Sequence, residues 1–365
     1  MGSYDRPMRV LSVLVCLSSA CFAAETMRIA VGPESNKLVL EGEALRVGPD
    51  TDDAKYEAFA GTKVTITLVS GKLFVEGEAT PAAALRFRSL DDGSGAISVN
   101  GTRVKGDVVV VLGKSLLAAV NVVGLEDYLV GVIGSEMPNS FPTEALMAQA
   151  IAARTYALNK KLEQYGQPYY LGSSVISQVY KGLDVEDPRT RHAVESTRGL
   201  VMTWQLQPIE AYFHASCGGR TESGVDALGR DLPYLQPVDC PCGRLPTSHW
   251  TLQLKQGDLK MFGAAQGGAI TVQGRSQTGR ARRVEVGARS VDAVTFRERI
   301  GYMKLKSLSF EIQKSGEGWK VEGTGFGHGA GLCQWGARVY AEKGWDYRKI
   351  LQHYYPGTEL QTLYE

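Results

Sequence analysis

Residues 136–158 read EMPNSFPTEALMAQAIAARTYAL, and the architecture turns on this stretch. Pro138 and Pro142, with the polar Asn139 and Ser140 between them, make its first part a turn. The rest is rich in Ala, Leu and Met, a helix-forming composition. Pro142 stands where a first-turn proline is tolerated, Glu144 complements the positive end of the helix dipole, and Gly166 closes the segment. The spacing predicts a long helix with its body from Ala145 to Gln164. At 100° per residue from Leu146, residues Met147, Ala150, Ile151, Ala153, Ala157 and Leu158 form one apolar arc. Arg154 falls near the middle of it. A guanidinium there needs either a buried acid or a polar cleft, because an unpaired buried charge is costly. Glu126 or Asp127 would serve as that acid. Contact with Glu136 would require the Glu136 segment to fold back, since Arg154 lies about 18 Å along the helix axis from its start.

Working upstream, residues from about 27 to 125 read as short strands. Arg28 to Val31, Lys37 to Leu40, Val64 to Leu68 and Leu73 to Val75 are β-rich and separated by Gly, Asn and Asp turns. Val108 to Leu112 is wholly apolar and Leu117 to Val123 is apolar but for Asn121, as expected of strands buried on both faces. Downstream, Ile209 to His214 and Leu308 to Ile312 read as strands. Val291 to Gly301 reads as a short helix, and Leu332 to Lys343 as a helix ended by Gly344. Without regular strand–helix alternation, the pattern predicts an α+β fold. Its organisation is read as a signal peptide over 1–23, a β-rich part over 24–120 and a core over 121–365 containing the long helix.

The 365 residues carry a formal charge of +1, which gives no basic excess for nucleic-acid binding. Arg6 and Arg9 precede an apolar run, Val10 to Leu17, too short to span a bilayer. The small residues around Ala20 to Ala24 supply a cleavage site after Ala23, so the chain is expected to be exported to the periplasm, the cell wall or the outside. A lipoprotein reading at Cys21 is disfavoured by Ser18. Cleavage removes Cys16 and Cys21, leaving Cys217, Cys240, Cys242 and Cys333. An even number in an oxidising compartment favours two disulfides over a zinc site, and the spacing fits no standard zinc motif.

Two segments carry chemistry. Glu136 lies at the end of an apolar stretch, just before the turn Met137 to Pro142. A carboxyl beside Val132, Ile133 and Met137 is partly desolvated, and desolvation favours the neutral form that a general acid requires. The plainer reading is a carboxylate that accepts hydrogen bonds from turn amides. The second segment, Gly325-Phe326-Gly327-His328-Gly329-Ala330-Gly331-Leu332-Cys333-Gln334-Trp335-Gly336-Ala337, has glycine at alternate positions in its first half. This is not the dinucleotide spacing. It fits a loop whose backbone approaches a ligand closely, with His328 projecting from it. Trp335 suits either a sugar face or the core.

Together these segments closely resemble the SpoIID/LytB family. The run from Leu125 through Glu136-Met137-Pro138 to Ala148-Gln149-Ala150-Ile151-Ala152-Ala153-Arg154-Thr155-Tyr156-Ala157 carries the resemblance. So do Gln178-Val179-Tyr180-Lys181-Gly182, His214-Ala215-Ser216-Cys217-Gly218-Gly219-Arg220-Thr221, Pro233-Tyr234-Leu235, the glycine–histidine loop and His353-Tyr354-Tyr355-Pro356-Gly357-Thr358, all in order. The resemblance implies a lytic transglycosylase acting on peptidoglycan glycan strands, with Glu136 as catalytic acid and then base and no cofactor. It further implies that Gln149, Arg154, Gln178, Tyr180, His214, His328 and Gln334 line or support the cleft. LytB-type relatives are described as amidase enhancers, so a wall amidase is the second implied partner and a non-catalytic amidase enhancer or glycan-binding protein of the cell wall the alternative. Some relatives carry a zinc site in a segment reading roughly Asp-Leu-Cys-x-x-x-His-Cys-Gln. The matching stretch here, Tyr170 to Gln178, has Gly172, Ile176 and Ser177 in place of the thiol and imidazole ligands. That zinc site is therefore expected to be absent, and a role in sporulation does not follow from the resemblance.

Overall fold

The computed structural model describes residues 25–51, 55–90, 94–113, 115–172, 180–263 and 269–364. The expected signal peptide lies outside them. The β-rich region folds as two sheets. One has seven strands in the order 171–172, 26–30, 117–124, 107–112, 84–89, 45–49, 57–58, antiparallel except where 171–172 joins 26–30. The other has six, in the order 102–105, 96–99, 37–42, 63–69, 72–75, 78–79. Alternating burial along Lys63–Val69 and Ala84–Ser89 turns Val64, Ile66, Leu85 and Phe87 into a shared core. The two apolar runs form the strands Asp107–Leu112 and Leu117–Gly124, and both are buried on each face over most of their length, in keeping with their composition.

Leu117–Gly124 leads directly into helix α1, Leu125–Glu136, and a turn then leads into α2, Thr143–Glu163. The order continues with α3 (Pro188–Glu195), α4 (Gly224–Leu228), α5 (Ala293–Ile300), α6 (Gln334–Glu342) and α7 (Tyr347–Tyr354). Pro142 is the N-cap of α2 rather than a residue inside its first turn. Every residue of α2 from Ala145 to Leu158 except Met147 is buried. The many alanines there let α1, α3, α6, α7 and the strand Leu200–Trp204 pack close around the helix. The mixture of sheets and helices is the expected α+β class.

Residues 249–324 hold a second, smaller core that the sequence reading did not set apart. Trp250, Leu254, Phe262, Val284, Phe296 and Val321 fill it, between two three-stranded sheets and α5. Two downstream elements differ from expectation. Only Phe213–His214 of the run 209–214 is strand, because those two residues have a partner, Leu332–Cys333, in parallel register. For the same reason Leu332–Cys333 is strand, and α6 begins only at Gln334.

Candidate active site

Glu136 is the last residue of α1, half-buried, at the carbonyl-rich end of the helix where a carboxylate is least favoured. The sequence gives α1 two unfavourable glycines, and the tertiary structure explains them. A Cβ at Gly131 would meet the Tyr180 ring at 2.8 Å, and one at Gly134 would meet the Val185 carbonyl oxygen at 2.1 Å. The helix can lie this close to its neighbours only without those side chains.

The Gln334 amide Nε2 donates to Glu136 Oε2 at 3.4 Å, across 198 residues of chain. Beside it, the Trp335 ring meets Phe141 edge-on at 5.1 Å, and the Arg338 guanidinium lies over both rings. The first turn of α6 thus packs on the turn that follows Glu136. Trp335 is half-buried against the core, in keeping with the safer of its two sequence readings.

Gln334 is set in place by the parallel pair Phe213–His214 and Leu332–Cys333, in which His214 stands opposite Cys333. The buried His214 donates Nδ1–H to the Ala330 carbonyl at 3.1 Å, and its buried Nε2 has no protein partner among the described residues. Burial, with His328 and Arg280 adding to it, holds this imidazole well below the usual histidine range. The His328 ring lies 5.3 Å away; its Nε2 donates to the Phe213 carbonyl at 2.9 Å and its Nδ1 accepts from Ala330 N at 3.1 Å. Burial pushes His328 down to about 4, against the opposing hydrogen bond to Phe213. The glycine loop therefore approaches protein as closely as any ligand: a Cβ at Gly327 would meet the His214 Cβ at 2.6 Å. His328 lines a recess of about 260 Å³ together with Glu222, Ser276 and Arg280.

A histidine that stays neutral in the fold gives a pH-dependent stability. The unfolded chain takes up a proton near pH 6.5, whereas the folded ring refuses it until about pH 4. The contribution of His328 is complete above pH 6.5 and falls away as the pH drops toward 4. Urea midpoints measured at intervals across that window should decline, and the decline should be shallower in His328→Gln. An identical slope in both proteins would place the ring in solvent.

The remaining candidates are dispersed. Arg154 is wholly buried and forms the ion pair with Glu126 that the sequence left open: Nε donates to Oε1 at 2.9 Å and Nη2 to Oε2 at 2.7 Å. Its other protons go to Thr197 Oγ1 and the carbonyls of Val194 and Leu200, and Tyr364 OH donates to Glu126. Arg154 thus joins helices and strands rather than lining a cleft. Gln149 is also wholly buried, and neither polar atom of its amide has a protein partner among the described residues. Gln178 lies outside the described residues.

Tyr180 is buried, its ring meets that of Tyr128 of α1 at a tilt with centroids 5.0 Å apart, and it donates its hydroxyl to Asn121 Oδ1 at 2.9 Å. It braces the helix that carries Glu136. Removing that hydroxyl leaves Asn121 Oδ1 without its donor inside a buried strand, so Tyr180→Phe should lower stability by about 1–3 kcal/mol. Equilibrium urea unfolding checks this, and an unchanged midpoint would mean that water replaces the bond.

Sequence reasoning passed over the buried pair Glu222 and Arg280. Glu222 accepts from the hydroxyls of Ser276 and Thr278, and Arg280 donates to the carbonyls of Cys217 (2.8 Å) and Arg220 (3.0 Å). This pair ties the second core to the loop after His214. Its only trace in the sequence is two charged residues far apart, Glu222 between Thr221 and Ser223 and Arg280 two residues after Thr278.

Among the described residues the cysteines, Cys217, Cys240, Cys242 and Cys333, form no disulfide and are all buried as free thiols. Their sulfurs converge, all lying within 4.8 Å of one another. Hydrogen bonds from Cys217, Cys240 and Cys333 drive the Cys242 thiol far down, whereas burial pushes Cys217 and Cys333 well up. Of the segment matching the other zinc site, residues 173–179 lie outside the described residues. Among the described residues no helix is long and apolar enough to cross a membrane.

The SpoIID family model, described as stage II sporulation protein, matches residues 114–204, which hold Glu136, α2 and Tyr180. The chain is 32% identical over 270 residues to an uncharacterized protein of Brachyspira hyodysenteriae, covering 72% of this chain and 73% of that one. It is 32% identical over 259 residues to stage II sporulation protein D of Bacillus subtilis, covering 65% of this chain and 74% of the relative. An amidase enhancer of Bacillus subtilis is 30% identical over 369 residues, covering 85% of this chain and 51% of the longer relative.

Proposed function

The chain belongs to the SpoIID family, and from that membership we propose that it acts on the cell wall as a lytic transglycosylase, cleaving peptidoglycan glycan strands with Glu136 as its single acid and base. The observation that carries this reading is the half-buried carboxyl of Glu136 at a helix end, touched by the Gln334 amide. One carboxyl suffices for the chemistry. Its protonated form gives a proton to the glycosidic oxygen as the C1–O bond breaks. The resulting carboxylate then takes the proton of the muramyl 6-hydroxyl as that oxygen closes on C1. No water is consumed and no second carboxylate is needed, in contrast to the two-carboxylate hydrolases. Gln334 would hold the carboxyl in place, while Tyr180 and Arg154 act at a distance by fixing α1 and α2. Glycan strands are the proposed substrate. Export, on the strength of the N-terminal residues, is part of the same reading.

The long match to an amidase enhancer favours one second reading, a protein that stimulates a wall amidase without cutting strands itself. Incubating the purified chain with glycan strands, with and without stem peptides, separates the two. Products ending in anhydro-muramyl residues support the transglycosylase. Ordinary reducing ends would mean hydrolysis by water and sink the single-glutamate scheme. No cleavage, with faster release of stem peptides by an added amidase, would favour the enhancer.

A further inference from the structure

We propose that Cys217, Cys240, Cys242 and Cys333 bind one zinc ion in a closed tetrathiolate site that fixes the start of α6, and with it Gln334. A tetrahedral zinc with bonds of about 2.3 Å holds its sulfurs about 3.8 Å apart, all six distances being equal. The four sulfurs here fall within 4.8 Å of one another, with Cys217 and Cys242 at 3.4 Å. Two disulfides would instead divide them into two pairs, each bonded at about 2.05 Å. The sequence reading favoured such pairs because the spacing fits no standard zinc motif. The spacing misleads because the ligands come from three separate segments: the loop after His214, the turn Pro241–Arg244 with Cys240 capping it, and the strand before α6.

The surroundings suit metal-bound thiolates. Cys333 Sγ accepts from the backbone N–H of Cys217 and of Gly336, each at 3.3 Å. Ser216 Oγ donates to Cys242 Sγ at 3.5 Å, and Tyr354 OH lies 3.2 Å from Cys240 Sγ. Donors aimed at ligand sulfurs in this way orient them and spread their charge. The cluster excludes water, with Cys242 and Cys333 fully buried. A Cβ at Gly336 would sit 2.3 Å from Cys240 Sγ, so the first turn of α6 closes directly over the sulfurs. Metal binding sends the thiol protons to solvent and requires no oxidant, whereas two disulfides would require one. All four ligand positions are protein sulfurs, so the site is structural and leaves no open position for chemistry.

The test begins with the whole chain purified without chelators, its zinc measured by elemental mass spectrometry and its thiols alkylated after unfolding in EDTA. The expected result is one zinc per chain, released as an organomercurial titrates the cysteines, and alkylation of each of Cys217, Cys240, Cys242 and Cys333. Cobalt(II) bound in place of zinc should give the strong red-region bands of a tetrahedral tetrathiolate. Cys242→Ser should lose most of the metal. Cys240→His, which keeps four ligands, should retain it and show that the fold survives a change at the site. Absence of zinc with no alkylation until a reductant is added would overturn the proposal in favour of disulfides. Iron in place of zinc, or full zinc in the Cys242→Ser protein, would overturn it equally.

Discussion

Arg154→Met should destabilise the protein by about 3–5 kcal/mol, a large share of the roughly 5–15 kcal/mol that holds an ordinary domain together. The substitution removes five hydrogen bonds at once and leaves Glu126, whose side chain is only 14% exposed, with the Tyr364 hydroxyl in place of a guanidinium. The loss comes mainly from stranding a buried charge, not from the intrinsic worth of the ion pair. Removing both charges should therefore cost less than removing one. In Arg154→Met/Glu126→Leu a substantial part of the stability should return, although the carbonyls of Val194 and Leu200 stay without their donor. Urea unfolding of the three variants, followed by circular dichroism, makes the comparison. A single substitution costing under about 1 kcal/mol would show that water reaches Glu126. Strand cleavage per folded molecule should be little changed in Arg154→Met, which a residue lining the cleft would not allow.

Glu136→Gln should have the opposite profile. The carboxamide keeps the shape of the side chain and can still meet Gln334, so the unfolding midpoint should move by no more than about 0.5 kcal/mol. It can neither give up nor take a proton at the glycosidic oxygen. Proton transfer by a positioned side chain contributes typically 10²–10⁴-fold, so strand cleavage should fall by about that factor. Counting anhydro-muramyl ends against time, with wild type and variant at equal folded concentration, measures it. Cleavage by Glu136→Gln at the wild-type rate would remove Glu136 from the chemistry. Gln334→Ala should lie between the two, its cleavage lowered by less than that of Glu136→Gln.

The contrast between Arg154 and Glu136 shows how far a sequence can be read. The Ala-rich helix after Pro142 and the two apolar strands were legible because local composition and periodicity decide them, and the structure follows them to within a few residues. That Arg154 needed a buried acid was also legible, because desolvation cost depends only on its place in the apolar arc. Which acid it takes depends on how α1 returns beside α2. Helix α1 itself was hidden, since Gly131 and Gly134 argue against a helix and make sense only once Tyr180 and Val185 are in position. The glycine loop pointed to close approach correctly and to a ligand too readily; His214 and Arg280 are among its neighbours. Gln334 meets Glu136 across 198 residues and the four thiols are gathered from positions between 217 and 333, and spacing along the chain carries no trace of either meeting.

The wide separation between Glu136 and Gln334 also orders events in time. A chain emerging from its N-terminus shows Glu136 and the whole of α2 long before the segment that touches the carboxyl exists. The final strand, Glu359–Thr362, pairs with Leu200–Trp204, and Tyr364 reaches back to Glu126. Residues 359–364 are therefore part of the central packing, and pairing over such distances is slow. A chain cut short before Gln334 would carry Glu136 and α2 without the amide that touches the carboxyl.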